Sequence, residues 1–254
     1  MVSPIDRAKK SKIRLIHLLP NLLTITAICA GLTAIRFGYE GNFQTAVRLI
    51  LIACVLDALD GRLARILNQT TALGAELDSL ADFVNFGVAP ALILHSWTLQ
   101  DFPRAGWMAV LFYAICCVLR LARFNVSAHK ETLETQSNYF VGVPSPAGAV
   151  LVLLPMVLSF ATGKFPLASP AIVAFYICIV GFFMISRVRT YSFKNLAIDR
   201  ANTKFFLLAG AILVAALLTY FWITLTVLTL GYIATLIWGF WEAQKSESSD
   251  SKPH

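Results

Sequence analysis

Four aspartates stand inside one largely apolar region of this 254-residue chain, DALDGRLARILNQTTALGAELDSLAD over residues 57–82. Asp57 and Asp60 are three apart, and Asp78 and Asp82 are four apart, so on helices each pair shares a face. Ionisable side chains at membrane depth are costly and mark functional sites. At about 5 Å and an effective dielectric of about 20, each like-charge pair costs roughly 3 kcal/mol, so the cluster needs a cation. An all-oxygen set of hard ligands suits Mg2+ or Mn2+. Two such ions can clamp both the attacked phosphorus and the leaving oxygen of a phosphoryl transfer. The pattern therefore reads as a metal-dependent phosphoryl-transfer site. Asp57, Asp60 and Asp78 would be ligands, while Asp82 would share the metal site and take the proton of an attacking hydroxyl.

Other residues along the chain carry two readings each. Gly61, Ala64 and Gly74 leave room for a ligand or let membrane helices pack closely. Arg65 meets phosphate oxygens or anchors the cytoplasmic end of a span. Pro20-Asn21-x2-Thr24 reads on its own as a helix start with capping residues. Arg120 and Arg123, three apart, grip a phosphate or carboxylate bidentately or act as plain anchors. Pro144 and Pro146 suit a rigid start to a helix. The five cysteines all lie in apolar runs without C-x-x-C or Cys/His spacing, which argues against a disulfide framework or a zinc site.

The elements that must position these groups are membrane helices. The chain is 57% hydrophobic and 14% charged, with a mean hydropathy of +0.70, a balance that excludes an ordinary soluble domain. Residues 1–14 form a short basic juxtamembrane segment, expected to be helical. One transmembrane domain over 15–242 is expected to hold eight helical spans, at about 16–36, 43–67, 73–98, 106–124, 145–162, 167–186, 205–221 and 224–241. Residues 243–254 have the composition of a disordered tail. The basic ends, including the 187–204 loop, fall on one side when eight spans alternate, so both termini and the carboxylates are expected on the cytoplasmic side of the inner membrane. No internal repeat is visible. The net charge of +7 therefore reports topology rather than nucleic-acid binding.

The full spacing, Asp57-x2-Asp60-Gly61-x2-Ala64-Arg65-x8-Gly74-x3-Asp78-x3-Asp82, resembles at every specified position the signature of the CDP-alcohol phosphatidyltransferase family of integral membrane enzymes. The resemblance implies CDP contacts from Gly61, Ala64, Arg65 and Gly74, with Asn21 and Thr24 near the nucleotide. It also implies Asp82 as the base, two divalent ions and a homodimer. Asp78-Ser79-Leu80-Ala81-Asp82, Phe86-Gly87-Val88-Ala89-Pro90, Ala122-Arg123-Phe124-Asn125-Val126 and Gly142-Val143-Pro144-Ser145-Pro146-Ala147 are similar to the bacterial-type phosphatidylserine synthase branch. Ser79 and Phe83 replace the proline and lysine usual in the phosphatidylglycerophosphate synthase branch. The implied activity is transfer of the phosphatidyl group of CDP-diacylglycerol to L-serine, with Arg120, Arg123, Asn125 and Ser145 as candidates for binding serine or the lipid phosphate. Rival readings are another acceptor (glycerol 3-phosphate, inositol phosphate or choline) or a cation- or proton-coupled transporter, which would favour repeat symmetry and charges at midplane.

Overall fold

A proline in the first turn and a stripe of small residues govern how the first helix starts and packs. The computed structural model describes residues 18–67, 71–130, 140–163, 169–186, 189–190 and 203–250. Helix α1 (Leu19–Tyr39) buries Pro20, Thr24, Ala27, Gly31, Ala34 and Gly38. These alternate four and three apart and so form one face. Small side chains let backbones approach, and this face packs along α2 (Phe43–Ile66). Gly41, with φ 79°, makes the turn between the two helices. Asn42 then caps α2 by accepting from the Thr45 N–H at 3.3 Å.

Helix α3 (Ala72–Asp82) starts at Thr71, whose hydroxyl oxygen accepts from the Gly74 N–H at 3.0 Å. The chain stays helical through a π-helical turn, Phe83–Val88, into α4 (Ala89–Thr98). Pro90 is one cause of the altered register. In an α-helix the Phe86 carbonyl would accept from residue 90, and proline has no N–H to offer. The Tyr113 hydroxyl supplies the missing donor to Phe86 O at 2.8 Å. A Cβ at Gly87 would lie 3.0 Å from Cys117 Sγ, so glycine there lets α5 (Pro103–Lys130) come close enough for that bond.

Helices α6 (Ser145–Thr162), α7 (Pro170–Ile185), α8 (Thr203–Thr219) and α9 (Phe221–Asp250) complete the described chain. Helices α4 and α6 are the most enclosed, with Ile93, Leu94, Val152, Leu153 and Met156 at 1% exposure or less. Around them stand α1, α2, α5, α7 and α9, while α8 packs chiefly on α9 and is apolar and exposed along most of its length. The protein is an all-helical integral membrane protein apart from one small ribbon. Strands β1 (Phe140–Val141) and β2 (Arg189–Thr190) pair antiparallel, Phe140 with Thr190 and Val141 with Arg189. No alternating pattern announces strands of two residues, because pairing that short depends on what holds the ends together.

Each of the eight expected spans coincides with a helical segment, but five are long and apolar enough to cross a membrane by length and composition: Leu19–Tyr39, Ala72–Asp101, Pro103–Val126, Ser145–Thr162 and Phe221–Gly239. Helix α2 carries Arg48, Asp57, Asp60, Arg62 and Arg65, which keeps it out of that set. Helix α7 has 16 residues, about 24 Å of helix against a hydrocarbon core of about 30 Å. Two expected boundaries move. Helix α5 runs to Lys130 rather than ending near 124. Helix α9 continues to Asp250, so most of the segment expected to be a disordered tail is helical. Ala243, Gln244, Lys245 and Glu247 are compatible with helix, and extending a formed helix needs no new nucleus. The basic segment 1–14 and most of the 187–204 loop lie outside the described residues.

Tyr113 is fully buried and its hydroxyl satisfies a carbonyl that proline leaves without a donor. Tyr113→Phe is expected to lower stability by about 1 kcal/mol. A lower melting temperature for the detergent-solubilised variant, with unchanged helix content, checks this.

Candidate metal centre and active site

Two helices bring the carboxylates together and a third braces them. Asp57 and Asp60 lie in the last third of α2, and α3 carries Asp78 to the same place. Each offers one carboxylate oxygen, and these oxygens lie within 4.8 Å of one another. Asp60 is 3% exposed, Asp57 half-buried and Asp78 open to the outside. From α1, the Thr24 hydroxyl donates to Asp60 Oδ2 at 2.6 Å. No Lys or Arg makes an ion pair with these three among the described residues, although Arg65 acts electrostatically on Asp78. Three carboxylates at this spacing repel by roughly 3 kcal/mol per pair at an effective dielectric of about 20. Their hard oxygen donors fit a divalent cation such as Mg2+ or Mn2+.

Asp82, expected both to share the metal site and to accept a proton, stands beside the trio rather than in it. It ends α3, and its carboxyl lies against that of Asp57. Its Oδ1 is buried and has no partner among the described residues. The expected nucleotide-side residues lie close by. A Cβ at Gly61 would meet nothing within 4 Å, so α2 faces open space there. A Cβ at Gly74 would lie 3.0 Å from Thr71 Oγ1 and 3.1 Å from Asn21 Oδ1, which places the start of α1 against the start of α3. Ala64 is half-buried and Arg65 exposed on the final turns of α2. Thr24, also expected near the nucleotide, donates its hydroxyl proton to Asp60.

The residues expected on the acceptor side converge on one end of α5. Arg120 donates from Nε to Val143 O and from Nη1 to Ser145 Oγ, both at 2.5 Å. Arg123 donates to Ile185 O at 2.7 Å, at the end of α7. Asn125 donates to Ser79 Oγ at 3.0 Å, one residue from Asp78. These bonds join α5 to α3, α6 and α7. A guanidinium has five N–H donors, so neither arginine is exhausted by them. Reading the sequence missed the link from Asn125 to Ser79, the bracing of Asp60 by Thr24 and the π-helical turn. Pro90 was the available signal for the last. Asn85, buried in that turn with no partner for its amide among the described residues, fits against Gly31.

Comparison with known proteins agrees with this arrangement. Residues 17–185 match the family model for CDP-alcohol phosphatidyltransferase, and the chain belongs to that family. It is 38% identical over 244 residues to the CDP-diacylglycerol–serine O-phosphatidyltransferase of Mycobacterium leprae, covering 93% of this chain and 80% of that protein. The protein of the same name from Helicobacter pylori (strain ATCC 700392 / 26695) is 36% identical over 197 residues, 76% of this chain and 78% of that one. The Bacillus subtilis protein of that name is 35% identical over 186 residues, 73% of this chain and 96% of its own length.

The open space beside Gly61 generates a separable test. Gly61→Val should change melting temperature little, because a Cβ there has nothing within 4 Å and valine is no worse than glycine in a helix. The same change should weaken binding of CDP-diacylglycerol by at least about tenfold, because it fills the space a ligand would use. Differential scanning fluorimetry and a ligand-binding titration on the same preparation read the two effects.

Proposed function

We propose that this protein transfers the phosphatidyl group of CDP-diacylglycerol to L-serine, giving phosphatidylserine and CMP. The observation that carries the reading is the convergence of Asp57, Asp60 and Asp78 within 4.8 Å, with Asp82 against Asp57 and open space at Gly61. Relatives named for this activity and covering most of the chain support serine as the acceptor.

Asp57, Asp60 and Asp78 would hold the divalent ions, two by the chemistry of the substrate. When bound, those ions neutralise the pyrophosphate oxygens and the charge that grows on the departing phosphate. The remaining work falls to the chain itself. Gly61, Ala64, Arg65, Gly74, Asn21 and Thr24 would line the space that receives the nucleotide. Asp82 accepts the proton of the serine hydroxyl as its oxygen bonds to the phosphorus bearing diacylglycerol, and the bond from that phosphorus to the CMP oxygen breaks. Arg120, Arg123, Asn125 and Ser145 form the acceptor side, where a zwitterion requires a cation for its carboxylate and an acceptor for its ammonium. The finer topology belongs to the same proposal: eight spans, both termini and the site on the cytoplasmic face of the inner membrane, and a homodimer.

Membranes containing the protein should release CMP from CDP-diacylglycerol only with serine and a divalent ion present. EDTA should abolish turnover, and Asp57→Asn, Asp60→Asn or Asp78→Asn should each lower it by at least about a hundredfold. Full activity in EDTA would overturn the metal-dependent reading. Preferential turnover of glycerol 3-phosphate would overturn serine as the acceptor while leaving the catalytic cluster in place.

A reporter fused after Ala243 should be cytoplasmic, and one placed at Gly41 or Gly163 should face the other side. Labelling of the fused tail from outside would break the eight-span topology.

A further inference from the structure

Thr24 is the one polar side chain on the buried stripe of α1, among Pro20, Ala27, Gly31, Ala34 and Gly38. It is 4% exposed, and its hydroxyl stands 2.6 Å from Asp60 Oδ2 and 3.1 Å from Pro20 O. A hydroxyl has a single proton to donate. The shorter distance lies in the range of a charge-assisted O–H···O− bond, and the carboxylate is the stronger acceptor, so the proton goes to Asp60. The other contact is the usual bond of a helical threonine to the carbonyl four residues back. Thr24 therefore engages one particular oxygen of a carboxylate that is itself almost wholly buried, from a helix 36 residues away in sequence.

We propose that Thr24 is a positioning residue that sets which divalent cation the site prefers, by engaging Asp60 Oδ2 and so favouring metal binding through Oδ1 alone. This rests on the metal-dependent reading given above. A carboxylate that binds through one oxygen suits a small ion requiring near-ideal octahedral geometry, such as Mg2+. A carboxylate with both oxygens available chelates, which suits the longer bonds and irregular coordination of Ca2+. Removing the hydroxyl frees Oδ2 and shifts the balance toward the larger ion. Valine keeps the shape of threonine on the face packed against α2, so the loss of the hydrogen bond is isolated from the loss of packing.

The test uses the purified full chain in lipid nanodiscs, without substrate. Binding of Mn2+ is followed by the electron paramagnetic resonance signal of the free ion, and Mg2+ and Ca2+ are then titrated as competitors. Thr24→Val should shift the ratio of Mg2+ to Ca2+ affinity toward Ca2+ by about tenfold, the size typical of removing a group that orients a metal ligand. Thr24→Ser, which keeps the hydroxyl, should stay within about threefold of the wild-type ratio. Thr24→Ala provides a second deletion of the hydroxyl if the valine variant elutes as aggregate, and it should shift the ratio the same way. An equal loss of affinity for all three ions, or an unchanged ratio, overturns the role of Thr24 while leaving the metal site standing. A wild-type protein that binds no Mn2+ overturns both.

Discussion

Like charges held together at membrane depth are the constraint on which the rest of this structure depends. Three carboxylate oxygens within 4.8 Å repel one another, and no protein cation forms an ion pair with them among the described residues. Helix packing has to resist that repulsion until a metal balances it. The small-residue stripe of α1 seats that helix closely on α2, and Thr24 braces Asp60 from there. The start of α3 is set against the same helix through Gly74 and Asn21. Glycine and alanine, which are poor at burying area, are valuable here because they shorten the distance between backbones that carry the charges.

The segment after Asp82 solves a second problem. A helix that presents Asp78 and Asp82 to α2 would keep turning by 100° per residue, whereas the wider π-helical turn changes which side chains face the core. Phe86 and Asn85 become buried, and the register change begins directly beside Asp82. Pro90 removes one backbone donor, and the hydroxyl of Tyr113 replaces it from α5. The second half of the same helix carries Arg120, Arg123 and Asn125, which hydrogen-bond to Val143 and Ser145 around the start of α6, the end of α7 and Ser79 of α3. Helix α5 thus links the turn behind Asp82 to the end where an acceptor would arrive. The pairing of β1 with β2 joins the segments on either side of α6 and α7 at that end.

The chemistry of the site was open to a reader of the sequence because it is written in local spacing. Asp57 and Asp60 share a helix face, as do Asp78 and Asp82, whatever the rest of the chain does, since the helical period depends only on the backbone. Hydropathy similarly located the helical segments. Less was visible at the far end of α9, where a polar composition also compatible with helix stood for disorder.

What the tertiary structure decided was which residue meets which. Thr24 sits in a segment that reads as a helix start, and nothing in its own neighbourhood says that its hydroxyl belongs to Asp60. Asn125 and Ser79 are both polar residues near helix ends, and only the packing of α5 on α3 makes them partners. Asp82 carries the same side chain as Asp57, Asp60 and Asp78 and lies on the same face as Asp78, yet it falls beside the trio, against Asp57. The sequence by itself determined the kind of chemistry, because residue type and helical periodicity are local properties. The division of labour among those residues was decided in three dimensions. Distances between side chains on different helices depend on how closely the backbones pack, and that follows from the whole set of contacts.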